Sequence, residues 1–324
     1  SRRCAHTLLC LQPIRTMHFD AQSSHASIEF AQAGTKRPTS LASSNDGMVA
    51  AGFRSGVFAV YSSDREVLHT CNTHSLAVMG VDFCPDGSQA VSGSRDGSVR
   101  LLDLATGTEA WQGTAARNLV TCLKWMPHSD SVFVQGAEDR GVRVWDTRRG
   151  TGAPVAALAG YTYFPLGLDI DEAGHALVTS SKGFNDVGGE VRVWDLRRPS
   201  EAAEQWEPQQ TTEWSGHSAD AVACVWLPAQ LCTQLGRSSQ DIVATASKDG
   251  SVKLWSADEQ LPLATYRGEG GVAWSCMAAP SCAADAARSG NTPHLVLGSH
   301  SGRVQALRVV ATEGGLAFAD APLA

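Results

Sequence analysis

Residues Gly136–Gly150 read "GAEDRGVRVWDTRRG": a tight turn, an alternating strand, and a Trp-Asp pair at its end. The pattern returns as "RDGSVRLLDLATG" at Arg95–Gly107, "GGEVRVWDLRRP" at Gly188–Pro199 and "KDGSVKLWSADE" at Lys248–Glu259. Four copies in one chain point to architecture rather than to a single reactive centre. The step from Asp103 to Asp146 is 43 residues and from Asp146 to Asp195 is 49, while Trp194 to Trp255 takes 61. Setting aside the inserts "KGFNDVGG", "SEAAEQWEPQQ" and "AQLCTQLGRSSQ" brings the period to roughly 40–45 residues, the length of a four-stranded unit in a radial array.

Each unit repeats one internal order. An alternating stretch comes first ("AVMGVDF", "LVTCLKW", "PLGLDI", "AVACVWL"), then a turn, then a second strand ("QAVSGS", "SVFVQGA", "HALVTSS", "DIVATAS"). A tight turn leads into the Trp strand, and a looser fourth strand closes the unit. Period-two alternation between Gly/Asp turns is a hairpin pattern, and no stretch has the period of a long amphipathic helix. Two weaker units flank these four. One has Tyr61 in the tryptophan's place, the other Leu307. That makes six units in residues 38–324, one domain. Residues 1–37 hold "TLLCLQ", "TMHFDA" and "SIEFAQA", three short strands of a partial first unit. Because an open array leaves an edge, seven units with the first incomplete are preferred to six.

These features resemble the WD40-repeat family. The resemblance implies an all-β propeller in which a buried polar set recurs: His before the first strand, Ser or Thr on the second, Asp in the tight turn, Trp on the third. His217, Thr245, Asp249 and Trp255 match in full. His74, Ser92 and Asp96 match with Leu102 replacing Trp, and Asp139 and Trp145 match with Ala116-Arg117 in place of Gly-His. The physical logic stands beside the family: a buried carboxylate requires donors, and hydrogen bonds to a charged group contribute about 1.5–3 kcal/mol each. The run from Ser92 to Pro228, with "RNLVTCLKW", the Gly-rich insert before "VWDLR" and "VACVWLP", is similar to a ciliary member of that family. It implies a cytoplasmic protein of the cilium or flagellum, tied to intraflagellar transport or ciliary cargo, which works by binding other proteins; the alternatives are a structural component bound to the doublet microtubules of the axoneme and a general intracellular adaptor.

Composition narrows the alternatives. Net charge is −7 with no basic face evident, against a nucleic-acid binder. No apolar run approaches the ~18 residues of a membrane span. Nine scattered cysteines without a C-x-x-C pair or an N-x-S/T site fit a reduced, intracellular protein. The Arg-rich, acid-poor start admits a transit peptide, although its short runs read better as strands, and the missing initial methionine leaves the true N-terminus open.

Chemistry finds little support. Asp169, Asp171, Glu172 and His175 in "GLDIDEAGH" could serve a metal or acid–base work, but they align with a turn. His74 and His217 read as members of the polar sets, and Cys122 and Cys224 as core. No nucleophile elbow, Walker loop or dinucleotide fingerprint is present. The expectation is no enzyme, no cofactor and no metal. Binding then falls to loops, chiefly the insertions 199–212, 229–240 and 281–293. Trp206, between Glu204 and Glu207, is either an anchor for a partner or a cover for its own sheet edge. Phe184 is a second candidate. Arg148, Arg149, Arg197 and Arg198 follow equivalent strands and could form a basic patch for an acidic partner such as a tubulin tail.

Overall fold

The computed structural model describes residues 38–115, 119–150, 152–184, 188–197, 206–237, 242–257, 259–268, 272–279, 294–299 and 301–321. The partial unit expected in residues 1–37 lies outside them. Six antiparallel sheets of four consecutive strands account for the described chain. Sheet 1 holds β1 (Pro38–Ser43), β2 (Val49–Phe53), β3 (Phe58–Tyr61) and β4 (Val67–Cys71); sheet 2 holds β5 (Val78–Phe83), β6 (Gln89–Ser94), β7 (Ser98–Asp103) and β8 (Thr108–Thr114). Sheet 3 follows with β9 (Val120–Trp125), β10 (Val132–Ala137), β11 (Val142–Asp146) and β12 (Ala156–Leu158), and sheet 4 with β13 (Pro165–Ile170), β14 (Ala176–Ser181), β15 (Val191–Asp195) and β16 (Gln209–Trp214). Sheet 5 is β17 (Ala221–Trp226), β18 (Ile242–Ser247), β19 (Ser251–Ser256) and β20 (Ala264–Arg267); sheet 6 is β21 (Trp274–Ala278), β22 (Leu295–Ser299), β23 (Val304–Thr312) and β24 (Gly315–Ala321). One short helix, α1 (Ala229–Gln234), sits in the insertion between β17 and β18.

Sequence sets the depth of each strand. The first strands are largely buried on both faces, and β9, β13 and β17 are buried at every position. The fourth strands are the more exposed, as in β4 and β8; β16, "QQTTEW", is exposed or half-exposed except at Trp214. First strands therefore line the centre and fourth strands the rim. Each first strand packs on the next, from β1 through β5, β9, β13 and β17 to β21. A cavity of about 420 Å³ confirms the radial arrangement, because all six sheets line it at the same place, the end of the first strand: Asn45, Pro85, Pro127, Ile170, Pro228 and Ala279.

Strand direction then defines two faces. Turns from first to second strand and from third to fourth emerge at the cavity face. Turns from second to third strand, and the links between sheets, emerge at the opposite end, the connection face.

Polar groups staple the first strands together. Asp82 Oδ2 accepts from the Trp125 amide at 2.8 Å, and Asp169 Oδ2 from the Trp226 amide at 3.0 Å. Between them the Lys124 ammonium lies 3.7 Å from Asp82 Oδ2 and 4.0 Å from Asp169 Oδ1. All three side chains are buried, a setting in which losing one partner leaves an uncompensated charge. The sequence reading put Asp169 in a turn. It lies instead on β13, and Asp171 holds that turn by accepting from the amides of His175 and Ala176 at 2.6 and 2.8 Å.

Candidate interaction surface

The connection face is built on the polar sets. In sheet 5, Trp255 Nε1 donates to Thr245 Oγ1 at 2.8 Å, and Thr245 Oγ1 lies 2.8 Å from His217 Nε2. His217 Nδ1 is 3.3 Å from Asp249 Oδ2 and 3.0 Å from Ser251 Oγ. A carboxylate only accepts, so the imidazole proton belongs on Nδ1, and the Thr245 hydroxyl donates to Nε2. Asp249 also accepts from the amides of Ser218 (2.9 Å) and Ser251 (2.8 Å). Burial pushes the Asp249 carboxyl up. The His217, Ser251 and Ser218 donors outweigh it and hold the group well below the usual carboxylate range. Both imidazole nitrogens are occupied and His217 is buried, so the set has no open position for a reacting group.

Sheet 2 repeats this without the indole. His74 Nδ1 lies 3.1 Å from Asp96 Oδ2, and Nε2 lies 2.9 Å from Ser92 Oγ. Leu102 occupies the tryptophan position. Burial lowers the His74 pKa against the pull of Asp96. Ser98 and Ser251, the residues after the turn glycine, complete both sets; their place in "DGS" was visible, although the sequence reading gave them no role.

Sheets 3 and 4 use other residues. In sheet 3, Trp145 Nε1 donates to Gln135 Oε1 at 3.1 Å, and Asp139 turns to the Arg143 guanidinium. Residues 116 and 117 lie outside the described residues. In sheet 4, Tyr161 stands where His was expected. Its hydroxyl is 2.8 Å from Thr179 Oγ1, its ring tilts against Trp194 at 5.7 Å, and Arg192 covers its face at 4.9 Å. The Gly-rich insert also gains a reason here. A Cβ on Gly188 would lie 1.5 Å from the His217 carbonyl oxygen, and Gly189 donates its amide to Ala219 O at 2.9 Å. Only glycine permits this approach.

These bonds fix the links that carry exposed apolar side chains. The Asp96 carboxylate takes the Ser75 amide, and Ser94 Oγ donates to Leu76 O at 2.9 Å. The Glu138 amide donates to Leu119 O at 2.9 Å, while Glu138 pairs with Arg95 across sheets 2 and 3. Leu76 and Leu119 are thus held outward, 52% and 37% exposed. Phe184, 55% exposed, leans on Tyr163 at 6.3 Å, and Val304 is exposed at the start of β23. Of the large exposed hydrophobics among the described residues, Leu76, Leu119, Phe184 and Val304 lie on the connection face, Leu261 on the cavity face and Leu68 on a rim strand.

The other candidates fall on the cavity face. Trp206 is half-buried against the core shared by sheets 3 and 4. Arg148 folds back on Asp146 through two bonds of 3.0 and 2.8 Å, and Arg197 does the same with Asp195. Each carboxylate is held low by its arginine. Arg149 is exposed, and Arg198 lies outside the described residues. Cys122 and Cys224 are buried, which pushes the Cys122 thiol up to about 12. Among the described residues no group of His, Cys, Asp or Glu could hold a metal ion, and no helix is long and apolar enough to cross a membrane.

Comparison with known proteins matches the family model for the WD domain, G-beta repeat, to residues 65–103, 109–146 and 206–256. Each match starts at or before the fourth strand of one sheet and ends at the third strand of the next. Similar proteins include the WD40 repeat protein poxJ of Penicillium oxalicum, 37% identical over 25% of this chain and 24% of its own length. Mouse WD repeat-containing protein 25 is 36% identical over 43% of this chain and 26% of its own. The nuclear distribution protein PAC1 of Yarrowia lipolytica is 28% identical over 57% and 37%. The chain thus spans about a quarter of the length of the first of these relatives.

Proposed function

We propose, with these WD40 repeats and their all-β propeller as the premise, that the protein is a non-catalytic scaffold that docks other proteins on its connection face. The observation that carries this is that Leu76, Leu119, Phe184 and Val304 share that face; the link bearing Leu76 is held by Asp96 and Ser94, and the one bearing Leu119 by the Glu138 amide. Exposed apolar side chains on a stiff frame suit a desolvating interface, where a few anchors supply most of the affinity. The run similar to WD repeat-containing protein 31 is the one support for a setting in the cilium, where transport cargo, transport proteins or axonemal tubulin would be the partners.

The test uses the full chain, tagged, in ciliated cells. Replacing Leu76 and Leu119 together with Glu is expected to cut co-purified protein at least tenfold while leaving the melting temperature unchanged. Arg149→Glu, on the cavity face, is expected to leave capture intact. The opposite pattern would move docking to the cavity face. Localisation of the tagged chain outside the cilium would remove the ciliary setting and leave the scaffold.

A further inference from the structure

The cavity at the ends of the first strands is ringed by charge of one sign. Four successive sheets each place an exposed carboxylate on the turn from first to second strand: Asp46, Asp86, Asp130 and Glu172. Those turns, residues 44–48, 84–88, 126–131 and 171–175, contain no lysine or arginine. Deeper in, Asp82 and Asp169 share the single Lys124 ammonium, which leaves one negative charge in excess. His128 Nε2 lies 2.8 Å from Glu172 O and ties the turns of sheets 3 and 4 together. The arginines of the same end stand farther from the axis, on third-to-fourth turns and in the insertion bearing α1. Arg148 and Arg197 are held by Asp146 and Asp195, and Arg237 by Glu259 at 3.3 Å. Arg65 sits between Asp64 and Glu66 in sequence. Arg149, exposed on the sheet 3 turn, is the exception.

A cleft lined by one sign of charge between apolar walls concentrates its field. The walls here are Pro85, Pro127, Ile170, Leu227 and Pro228. They suit the alkyl stem of a long cationic side chain whose head reaches a carboxylate. The cavity's volume of about 420 Å³ is in the range of ligand sites.

Trp226 adds an unmet donor. It stands in sheet 5 where Trp125 stands in sheet 3: each ends a first strand, and each amide donates to an aspartate of the preceding first strand. The Trp125 indole donates to Ser129 O at 2.6 Å, in its own first-to-second turn. In sheet 5 the insertion with α1 replaces that turn. Trp226 lines the cavity and is 8% exposed, and its Nε1 has no acceptor among the described residues. A buried N–H without a partner is costly, and a peptide carbonyl is an acceptor that would relieve it.

We propose that the cavity and its rim of carboxylates bind a lysine- or arginine-rich segment of a partner protein. One basic side chain enters along the proline walls towards Asp169 and Glu172. A backbone carbonyl at the Trp226 edge supplies the missing acceptor, and neighbouring basic side chains pair with Asp46, Asp86 and Asp130. The site lies at the opposite end from the connection face and is independent of docking there.

The test uses the full chain and a fluorescein-labelled peptide of four Lys-Ala repeats, read by fluorescence anisotropy. Asp130→Asn with Glu172→Gln is expected to weaken binding about tenfold. Asp64→Asn with Glu66→Gln removes the same charge from an outer turn of the same face, and is expected to change binding by less than about twofold. Equal losses in the two variants, no binding of the Lys-Ala peptide, or equal binding of a Glu-Ala peptide would overturn the proposal. A second measurement locates the occupant. The Trp226 indole N–H resonance, identified by its loss in Trp226→Phe, is expected to shift as the Lys-Ala peptide is added. An unmoved resonance would overturn the cavity site whatever the anisotropy shows.

Discussion

Sheets 5 and 3 share a strand plan and a buried tryptophan on the third strand, yet they hold it in different ways. In sheet 5 the bonds run from Trp255 through Thr245 and His217 to Asp249, and so tie the third strand, the second strand, the incoming link and the turn into one unit. In sheet 3 the chain of bonds stops at Gln135, whose amide nitrogen donates to Gly136 O at 2.6 Å. Asp139, at the position of Asp249, serves its own hairpin through Arg143. The turns differ as well: Gly250 takes φ +81° where Arg140 takes φ +68°. A side chain in that left-handed region is strained. Aromatic packing is common to both: Trp214 stacks on Trp255 at 5.5 Å, and Trp111 is set edge-on to Trp145 at 5.9 Å. The comparison teaches that aromatic contact alone can hold one fold position while a directional network is added to it at the other, and that the two should fail differently.

The largest expected break is Asp249→Ala, which strands His217 and the Ser218 amide and should cost about 3 kcal/mol. Asp139→Ala, losing a partly exposed pair, should cost under about 1 kcal/mol. Urea midpoints of the two variants decide it, and equal losses would erase the distinction. Acid sharpens the same contrast. The Asp249 pKa is depressed on folding, so its contribution is full above the ordinary carboxylate pKa and is lost as pH falls below about 4. Asp249→Ala should therefore flatten the fall in melting temperature over that range. Next in size is Gly188→Ala, whose Cβ collides with the His217 carbonyl; about 2 kcal/mol is expected, together with a shift in the His217 imidazole resonances. The smallest effect is a gain: Arg140→Gly relieves the left-handed strain in sheet 3, offset by the freedom glycine adds to the unfolded chain, for a net of about 0.5 kcal/mol. A lower midpoint would show that the Arg140 side chain is needed where it stands.

The strand order was legible because period-two alternation and Gly/Asp turns are local, and β1 begins at Pro38 where the first full unit was placed. The full polar set of sheet 5 was legible from four residue types in a fixed order. Tyr161 and Gln135 were not, because each keeps the hydrogen-bonding job while changing the residue, and a search for His or Thr passes over them. The staple of Asp82, Lys124 and Asp169 was equally hidden. Its members stand near the ends of three first strands, in "GVDF", "CLKW" and "GLDI", and only assembly brings the opposite charges together. Face assignment also needed strand direction: Phe184 and Trp206 read alike as inserted aromatics but emerge at opposite ends of the molecule.

The stagger between sequence repeat and sheet has a practical consequence for anyone dividing this chain. A cut after Asp146, where one repeat match ends, severs β12 from the hairpin it edges and exposes the backbone of β11. A cut at residues 72–73 or 215–216, ahead of His74 and His217, falls between finished sheets and leaves every ladder and both polar sets whole. Fragments, fusions and permuted versions should therefore take their ends from those links, since the period of the text is out of phase with the joints of the object.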